Sequence, residues 1–584
     1  MDETRTIQRG DRRWWIRPEA AALLLAEGWP PDDPARLVAV KRGAGRTVSR
    51  CTAGGAAFYV KAYAPTDLFR RLRARLGFGP GRREWEALLA ARAAGLDVPE
   101  PVAITLGAEE QLITREIAGG RRLDEYLFER YFEPLAGDPP YPGARPPELV
   151  SLFRRRRRPP EGTLPPRELA HRLAEILYRL ADADLFLPDL HPGNILVSGE
   201  AGNWRLSLVD LAEAEHPAPP EALLEHLLRL EHFFEPIASA AERLRCLARL
   251  GELVKARRPQ SVGVVPSAGL VAHATAFYRR GFYRRRDRRT RRPSKYFARL
   301  AVDAWYGWAT ADWAETVAKL LAEMGTATAP PASRTAPLKE GRTSTVWRVR
   351  LDNGRALIVK RHNRAERSSL AQAILCLSRS IAAFRRGHAL LARGLATARP
   401  AAAVDLRRGG AVVATLVFTE PVEDAMPLSD WLRTSPVPRL RRHVTWQLAR
   451  MIQRLHDAGF SHRDLKAPNL LIAGAGGADP RPVLVDLDGL RAGRRPSARR
   501  RAQNLMRLSV SLDEWGVARR TDRLRFLRIY LGRRGCPAAI TVRGRRRGST
   551  KAAARLRRWW KRIARLSARK REALGLKAPA TRPS

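Results

Sequence analysis

Cysteine is scarce in this 584-residue chain: Cys51, Cys246, Cys376 and Cys536 are the only four, and they lie far apart. They form no metal-ligand spacing and no disulfide framework, so neither structural zinc nor a disulfide is expected, and a reducing compartment is. Long apolar runs are missing as well. No stretch of about 18 apolar residues occurs, so no transmembrane helix is expected. The opening Met1-Asp2-Glu3-Thr4-Arg5 lacks the apolar core of a signal peptide, and a cytoplasmic location follows as the expectation. Acidic residues are the third shortage. Asp plus Glu number 59 against 107 Lys plus Arg, a net charge of +48, so anionic partners are favoured.

Against these absences stands a duplication. One stretch reads Asp189-Leu190-His191-Pro192-Gly193-Asn194-Ile195-Leu196, followed by Leu208-Val209-Asp210. The other reads His462-Arg463-Asp464-Leu465-Lys466-Ala467-Pro468-Asn469-Leu470-Leu471, followed by Val485-Asp486. In each, an Asp precedes an Asn by five residues and a strand-end Asp by 21 or 22. This pattern resembles the catalytic and metal loops of the protein-kinase-like fold. Phosphoryl transfer needs one Asp to accept or orient the proton of an attacking hydroxyl, and Asn and Asp oxygens to hold Mg²⁺ at the nucleotide phosphates. The candidate bases are Asp189 and Asp464. The candidate metal ligands are Asn194, Asp210, Asn469 and Asp486, with ATP and Mg²⁺ as the implied cofactors.

Each copy carries a strand lysine upstream. Phe58-Tyr59-Val60-Lys61 and Leu357-Ile358-Val359-Lys360 are apolar runs ending in an ammonium suited to nucleotide phosphates. Turn-rich segments precede them, with Gly43 and Gly45 in the first copy and Gly341 in the second. They are plausible nucleotide-covering hairpins, although neither spells a full Gly-x-Gly-x-x-Gly. The helix that should offer a carboxylate to the lysine separates the copies. Glu84 is the candidate partner of Lys61, with Glu86 in reserve, whereas Ala382-Ala383-Phe384-Arg385-Arg386-Gly387-His388 holds no Glu. The first copy has Leu187-Pro188 where the second has His462-Arg463. Either copy is therefore a candidate for impairment.

The Gly-Leu-x-x-Pro-x-Pro punctuation of Gly95–Pro101, the Arg342-Thr343-Ser344-Thr345-Val346-Trp347-Arg348 strand and His462-Arg463-Asp464-Leu465 together resemble the bacterial lipopolysaccharide kinase family. The likeness covers roughly residues 330 to 565 and, through Pro188–Asn194, roughly 10 to 310. It implies an ATP-dependent kinase acting on a heptose- or Kdo-type sugar hydroxyl of a lipopolysaccharide core or related glycolipid precursor. His191 and Lys466 occupy matching positions from which either reaches toward phosphate, the former only as far as pH allows.

The implied fold class is α+β: two tandem protein-kinase-like units, each with a small β-rich lobe and a helical lobe. Length fits two cores better than one. Expected boundaries are unit 1 at 1–322, with an irregular basic insertion at about 134–166, a linker at 323–334, and unit 2 at 335–584 ending in a basic helix. Basic clusters at Arg154–Arg158, Arg279–Arg289, Arg499–Arg501 and Arg543–Arg547 suit a peripheral position on an anionic inner-membrane surface, where each charge adds about 1 kcal/mol. Nucleic acid is a weaker alternative, and a merely solvated surface the plain one. Trp559-Trp560 suits either a membrane interface or packing on the helical lobe. Two rival functions stay open: a protein Ser/Thr kinase, weakened by the lack of an Ala-Pro-Glu-like element after Asp486, and a tandem pseudokinase serving as a basic scaffold.

Overall fold

Period-two burial sets the frame of this computed structural model. It describes residues 4–9, 12–21, 37–43, 45–53, 55–64, 72, 74–107, 109–132, 157–257, 265–352, 354–363, 379–409, 411–517, 519–532 and 546–575. The chain divides into two units, Met1–Glu133 with Arg156–Tyr278 and Pro134–Arg155 with Arg279–Ser584.

The first unit opens on β1 (Arg5–Arg9), β2 (Arg12–Ile16), β3 (Val38–Gly43), β4 (Arg46–Ala53) and β5 (Ala56–Tyr63). Helix α1 (Pro80–Ala93), β6 (Pro101–Leu106) and β7 (Glu110–Arg115) follow. The strands form one antiparallel sheet in the order β1-β2-β6-β7-β5-β4-β3. Along β5 the buried Phe58 and Val60 enter a core with Trp14, Ile16 and Ile113. Alternation then puts Tyr59, Lys61 and Tyr63 on the opposite face. Beyond the sheet come β8 (Arg121–Arg122), α2 (Leu123–Tyr131), α3 (Pro166–Asp182), β9 (Ile195–Ser198) and β10 (Arg205–Leu208). Helices α4 (Ala222–Phe234), α5 (Ala240–Arg257) and α6 (Ala268–Arg289) complete this run, and the division falls within α6.

The second unit contains β11 (Phe297–Val302), β12 (Trp305–Thr310), α7 (Ala314–Met324), β13 (Thr335–Glu340), β14 (Ser344–Arg350) and β15 (Ala356–His362). After them come α8 (Arg379–Ala392), β16 (Pro400–Arg408) and β17 (Ala411–Thr419). Its sheet order, β11-β12-β16-β17-β15-β14-β13, repeats that of the first sheet. Leu357 and Val359 join Trp305, Trp347 and Phe418 in the core, so Lys360 and His362 face the other way. Next are β18 (Ala425–Pro427), α9 (Leu428–Arg433), α10 (Pro438–Asp457), β19 (Phe460–His462), β20 (Leu470–Ala473), β21 (Arg481–Leu484) and β22 (Leu490–Ala492). Helices α11 (Ala498–Glu514), α12 (Arg520–Leu531) and α13 (Arg546–Glu572) follow.

The Gly-Leu punctuation has a local cause in both units. Gly95 takes φ 72° and Leu96 N–H reaches back to the Ala91 carbonyl at 2.9 Å, while Gly394 takes φ 66° and Leu395 N–H reaches Leu390 at 3.0 Å. Left-handed glycine closes each helix and turns the chain toward the next strand.

One expectation needs correction. Residues 323–334 are not the division between units, because β11 and β12 upstream already belong to the second sheet. Val317, Leu320 and Leu321 of α7 are buried on that sheet, and Trp305 Nε1 donates to the Gly325 carbonyl at 2.7 Å. The small-residue and Pro stretch is a helix-to-strand turn inside the second unit. Of the two readings of the C-terminal Trp559 and Trp560, the structure shows packing: with Leu556 and Ile563 they lie against the helical core, and Trp559 meets Tyr530 edge-on at 6.0 Å between centroids. Most of the insertion expected at 134–166, including Arg154–Arg156, lies outside the described residues. At its far end Arg157 donates to the backbone carbonyls of Glu129 and Arg130.

Candidate functional site

In the first unit the strand lysine meets the helix carboxylate. Lys61 Nζ lies 2.5 Å from Glu84 Oε1, and Glu84 is 1% exposed. Tyr63, two residues along the same face of β5, donates its hydroxyl to Glu84, and Leu211 N–H donates to Oε1 at 3.1 Å. Burial, with Glu84 beside it, raises the Tyr63 pKa and keeps the phenol protonated. The reserve residue Glu86 points outward and pairs with Arg82 at 3.0 Å.

The catalytic-loop candidates gather at one cleft, lined by Asp189, Asn194, Asp210 and Glu213 among others. Asn194 Nδ2 donates to the Asp189 carbonyl at 3.1 Å and to its Oδ2 at 3.2 Å. His191 Nε2 stands 3.6 Å from Asp189 Oδ1, while its Nδ1 accepts from Gly193 N–H at 2.9 Å. The His191 contact outweighs burial and lowers the Asp189 pKa. Asp210 sits in the left-handed region at φ 64°, a conformation tolerated best by Asp, Asn and Gly. Arg46, which follows Gly45 at the tip between β3 and β4, engages both oxygens of Asp210, with Nη2 to Oδ2 at 2.9 Å. Burial alone would raise the Asp210 pKa; Arg46 and Lys61 more than offset it and lower it. Gly43 ends β3 and Gly45 has φ 82°, so the hairpin tip reaches the strand-end Asp.

The second unit solves the same problem differently. No carboxylate on α8 meets Lys360. Its Nζ lies 2.5 Å from Asp486 Oδ1 and also donates to Asp488 Oδ2. Burial works against the charged lysine, but the two aspartates outweigh it and raise its pKa. His362, the counterpart of Tyr63 in strand position, places Nε2 2.6 Å from Asp488 Oδ2 and Nδ1 2.9 Å from Thr415 Oγ1. Although burial pushes the Asp488 pKa up, His362 and Lys360 pull it well below the usual carboxylate range.

The loop itself is tied by His462. Its Nδ1 accepts from Asp464 N–H at 3.2 Å and its Nε2 faces the Asp486 carbonyl at 2.9 Å, which fixes the neutral Nε2–H tautomer. Burial lowers the His462 pKa and reinforces that state. One buried ring thus joins the loop of Asp464 to that of Asp486, which again takes a left-handed φ, 60°. Gly489 is required beside it, because a Cβ there would come within 2.8 Å of the ring. Asn469 Nδ2 donates to the Asp464 carbonyl at 2.8 Å, and Lys466 Nζ lies 3.0 Å from Asp464 Oδ1. Gly341 lies between β13 and β14, its carbonyl accepting from Asn363 Nδ2 at 2.7 Å.

Sequence reasoning missed Arg46, Tyr63, His362 and Asp488. Two signals were available: the i+2 position on a lysine-bearing strand, and the acidic Asp486-x-Asp488 pair.

The family-model match falls on this second unit. The model of the lipopolysaccharide kinase (Kdo/WaaP) family matches residues 337–530, from β13 to α12. The 3-deoxy-D-manno-octulosonic acid kinase of Xanthomonas campestris pv. campestris (strain B100) is 34% identical over 186 residues, 31% of this chain and 70% of that protein. The chain belongs to the lipopolysaccharide kinase (Kdo/WaaP) family. Two other Kdo/WaaP relatives are covered less fully. The 3-deoxy-D-manno-octulosonic acid kinase of Haemophilus influenzae (strain 86-028NP) is 32% identical over 24% of this chain and 55% of its own. The lipopolysaccharide core heptose(I) kinase WaaP of Pseudomonas aeruginosa is 32% identical over 20% of this chain and 47% of its own. A solved structure titled WaaP in complex with acyl carrier protein is 25% identical, covering 40% of this chain and 87% of that one at a TM-score of 0.29. The relatives are kinases, and the family is one of phosphotransferases. No described helix is long and apolar enough to cross a membrane.

Proposed function

We propose that this Kdo/WaaP-family chain is an ATP-dependent kinase that phosphorylates a heptose- or Kdo-type sugar hydroxyl of a lipopolysaccharide core or related glycolipid, with two tandem kinase-like units of which the second performs the transfer. The observation that carries this reading is the His462 ring, which locks Asp464 and Asp486 into one unit beneath the family match. In that site Asp464 accepts the acceptor hydroxyl's proton, and Lys360 and Lys466 face the nucleotide phosphates. Asn469 and Asp486 fit Mg²⁺ by chemistry: both offer hard oxygens, and Asn469 uses its amide N–H on Asp464, which leaves Oδ1 as an acceptor. Magnesium needs only one or two protein oxygens when substrate phosphates complete its shell, in keeping with the lack of any cluster of three or more acidic, His or Cys ligands among the described residues. Bound there, it supplies neutralisation of charge on the transferring phosphoryl group.

The first unit keeps the parallel set Lys61, Glu84, Asp189, His191, Asn194 and Asp210, with Gly43 and Gly45 in its hairpin. Arg46 occupying both Asp210 oxygens favours a nucleotide-binding or regulatory role for it over turnover. The deciding experiment is Mg²⁺-dependent ATP consumption by the full chain with and without dephosphorylated lipopolysaccharide core. Core-stimulated turnover with phosphate on sugar, lost in Asp464→Asn, is expected. Phosphate appearing on protein alone would replace this reading with a protein kinase.

A further inference from the structure

Superposing the two units by their motifs exposes an exchange of carboxylates. Counting from the Gly-Leu turns, Gly95-Leu96 and Gly394-Leu395, the counterpart of Glu84 is Ala383, which is 3% exposed. Counting from the strand-end aspartates, Asp210 and Asp486, the counterpart of Asp488 is Ala212, also buried. Each unit therefore has one acidic side chain dedicated to its strand lysine and an alanine where the other unit keeps that acid. In one unit it comes from the helix, in the other from the loop after the last β-strand of the site. The second anchor is exchanged in step: the residue two past the lysine is Tyr63, bonded to Glu84, or His362, bonded to Asp488.

We propose that Asp488, backed by His362, is the positioning residue for Lys360, replacing the helix glutamate that a kinase-like site otherwise uses. The inference rests on the reading of the second unit as the nucleotide site. If Asp486 also serves a cation, its charge is divided between that cation and the lysine, which weakens its hold on Lys360. Asp488 has no such competing duty. His362 holds its Oδ2 at 2.6 Å, and Thr415 holds the far side of the ring at 2.9 Å. That chain, Thr415–His362–Asp488–Lys360, fixes the ammonium from the sheet and the loop without any contribution from α8. One lysine donor hydrogen remains for phosphate after two are spent on Asp486 and Asp488.

The test uses the full chain, with ATP and Mg²⁺ varied at saturating dephosphorylated core. Asp488→Asn keeps size and hydrogen bonding but drops the charge. It is expected to raise KM for ATP by about tenfold to a hundredfold, the loss that goes with one charge-assisted contact, with a smaller fall in kcat. Asp488→Glu should recover part of the loss. The double variant Asp488→Ala with Ala383→Glu, which moves the acid back to the helix, should recover more than Asp488→Ala alone, with thermal unfolding confirming that each variant is folded. A folded Asp488→Asn with unchanged KM for ATP overturns the proposal, as does a loss confined to kcat. Asp464→Asn separates the two levels: if it leaves turnover intact, the site reading itself fails, whereas loss of turnover in Asp464→Asn alongside an unchanged KM in Asp488→Asn sinks only the positioning role.

Discussion

The two units share a strand order and a loop grammar, yet they balance the same buried charge with different acids. In the first, Glu84 of α1 holds Lys61, and Arg46 takes both oxygens of Asp210. In the second, Lys360 draws on two loop aspartates, and among the described residues no arginine engages Asp486 in this way. The lesson concerns what is fixed and what is free. An ammonium aimed at phosphates from a half-buried strand must have an anionic neighbour, since desolvation otherwise favours its neutral form. Which element supplies the anion is interchangeable. What cannot be exchanged without functional cost is the state of the strand-end Asp: a bidentate guanidinium is a strong, geometrically specific partner that a cation must displace.

The sharpest way to break the comparison is to remove each candidate base in turn. Asp464→Asn in the full chain should lower core-dependent turnover by about 10²- to 10⁴-fold, the range for a positioned general base. Asp189→Asn should change it by less than about twofold. Equal losses from the two would mean that both units turn over and that the contrast at Asp210 and Asp486 is without consequence.

Stability should divide the units next. Glu84→Ala strands the buried ammonium of Lys61 and the Tyr63 hydroxyl, and should destabilise the first unit by about 3–5 kcal/mol in urea unfolding. Asp488→Ala acts on groups that are 20% and 23% exposed, and Asp486 remains beside Lys360, so its effect on the second unit should be smaller. Comparable losses would show that the loop acids carry as much structural weight as the helix acid.

Arg46→Ala addresses the first unit's side of the comparison. Freed of the guanidinium, Asp210 becomes available, and the first unit should gain Mg²⁺-dependent protection by ATP. At a nucleotide concentration a hundred times the dissociation constant that protection amounts to about 2.7 kcal/mol, read as a shift in the first unit's unfolding transition. If wild type already shows the full Mg²⁺-dependent shift there, Arg46 is no barrier.

How much of this was legible in the sequence follows from where the information sits. The loops were readable because Asp, Asn and Asp at fixed spacing have few other reasons to recur twice, and the family model matches the stretch that holds the second loop. The lysine strands were readable as short apolar runs ending in Lys61 and Lys360. The division between units was not, because Gly, Pro and Ala in 324–333 mark a turn without saying whether it joins domains or elements. Strands β11 and β12 are short and carry no site residue, so only their pairing with β16 reveals which sheet they join. Asp488 escaped for a related reason. Its role is defined by proximity to Lys360 and His362, 128 and 126 residues away in sequence, and a local pattern does not encode such a contact.

The smallest expected difference is in acid sensitivity, and its sign follows from burial. His226 accepts the Leu187 N–H through Nε2 at 2.9 Å in the first unit, and burial pushes its pKa down to about 3. In the second unit burial lowers His388 to about 3 and His456 to about 4, the latter lying between Tyr530 and Asn504. A histidine whose folded pKa is depressed takes up its proton first in the unfolded chain. Stability therefore falls as pH drops below the unfolded value of about 6.5, and goes on falling until the folded pKa is reached. By pH 5.5 each such residue costs about 1.4 kcal/mol. The first unit should lose about that much between pH 7.5 and 5.5, and the second at least twice as much, since burial lowers three histidines there, His388, His456 and His462. His226→Gln, which keeps an acceptor for Leu187, should flatten the first transition's pH dependence and leave the second unchanged. Parallel slopes in the two transitions would place the acid-sensitive groups elsewhere.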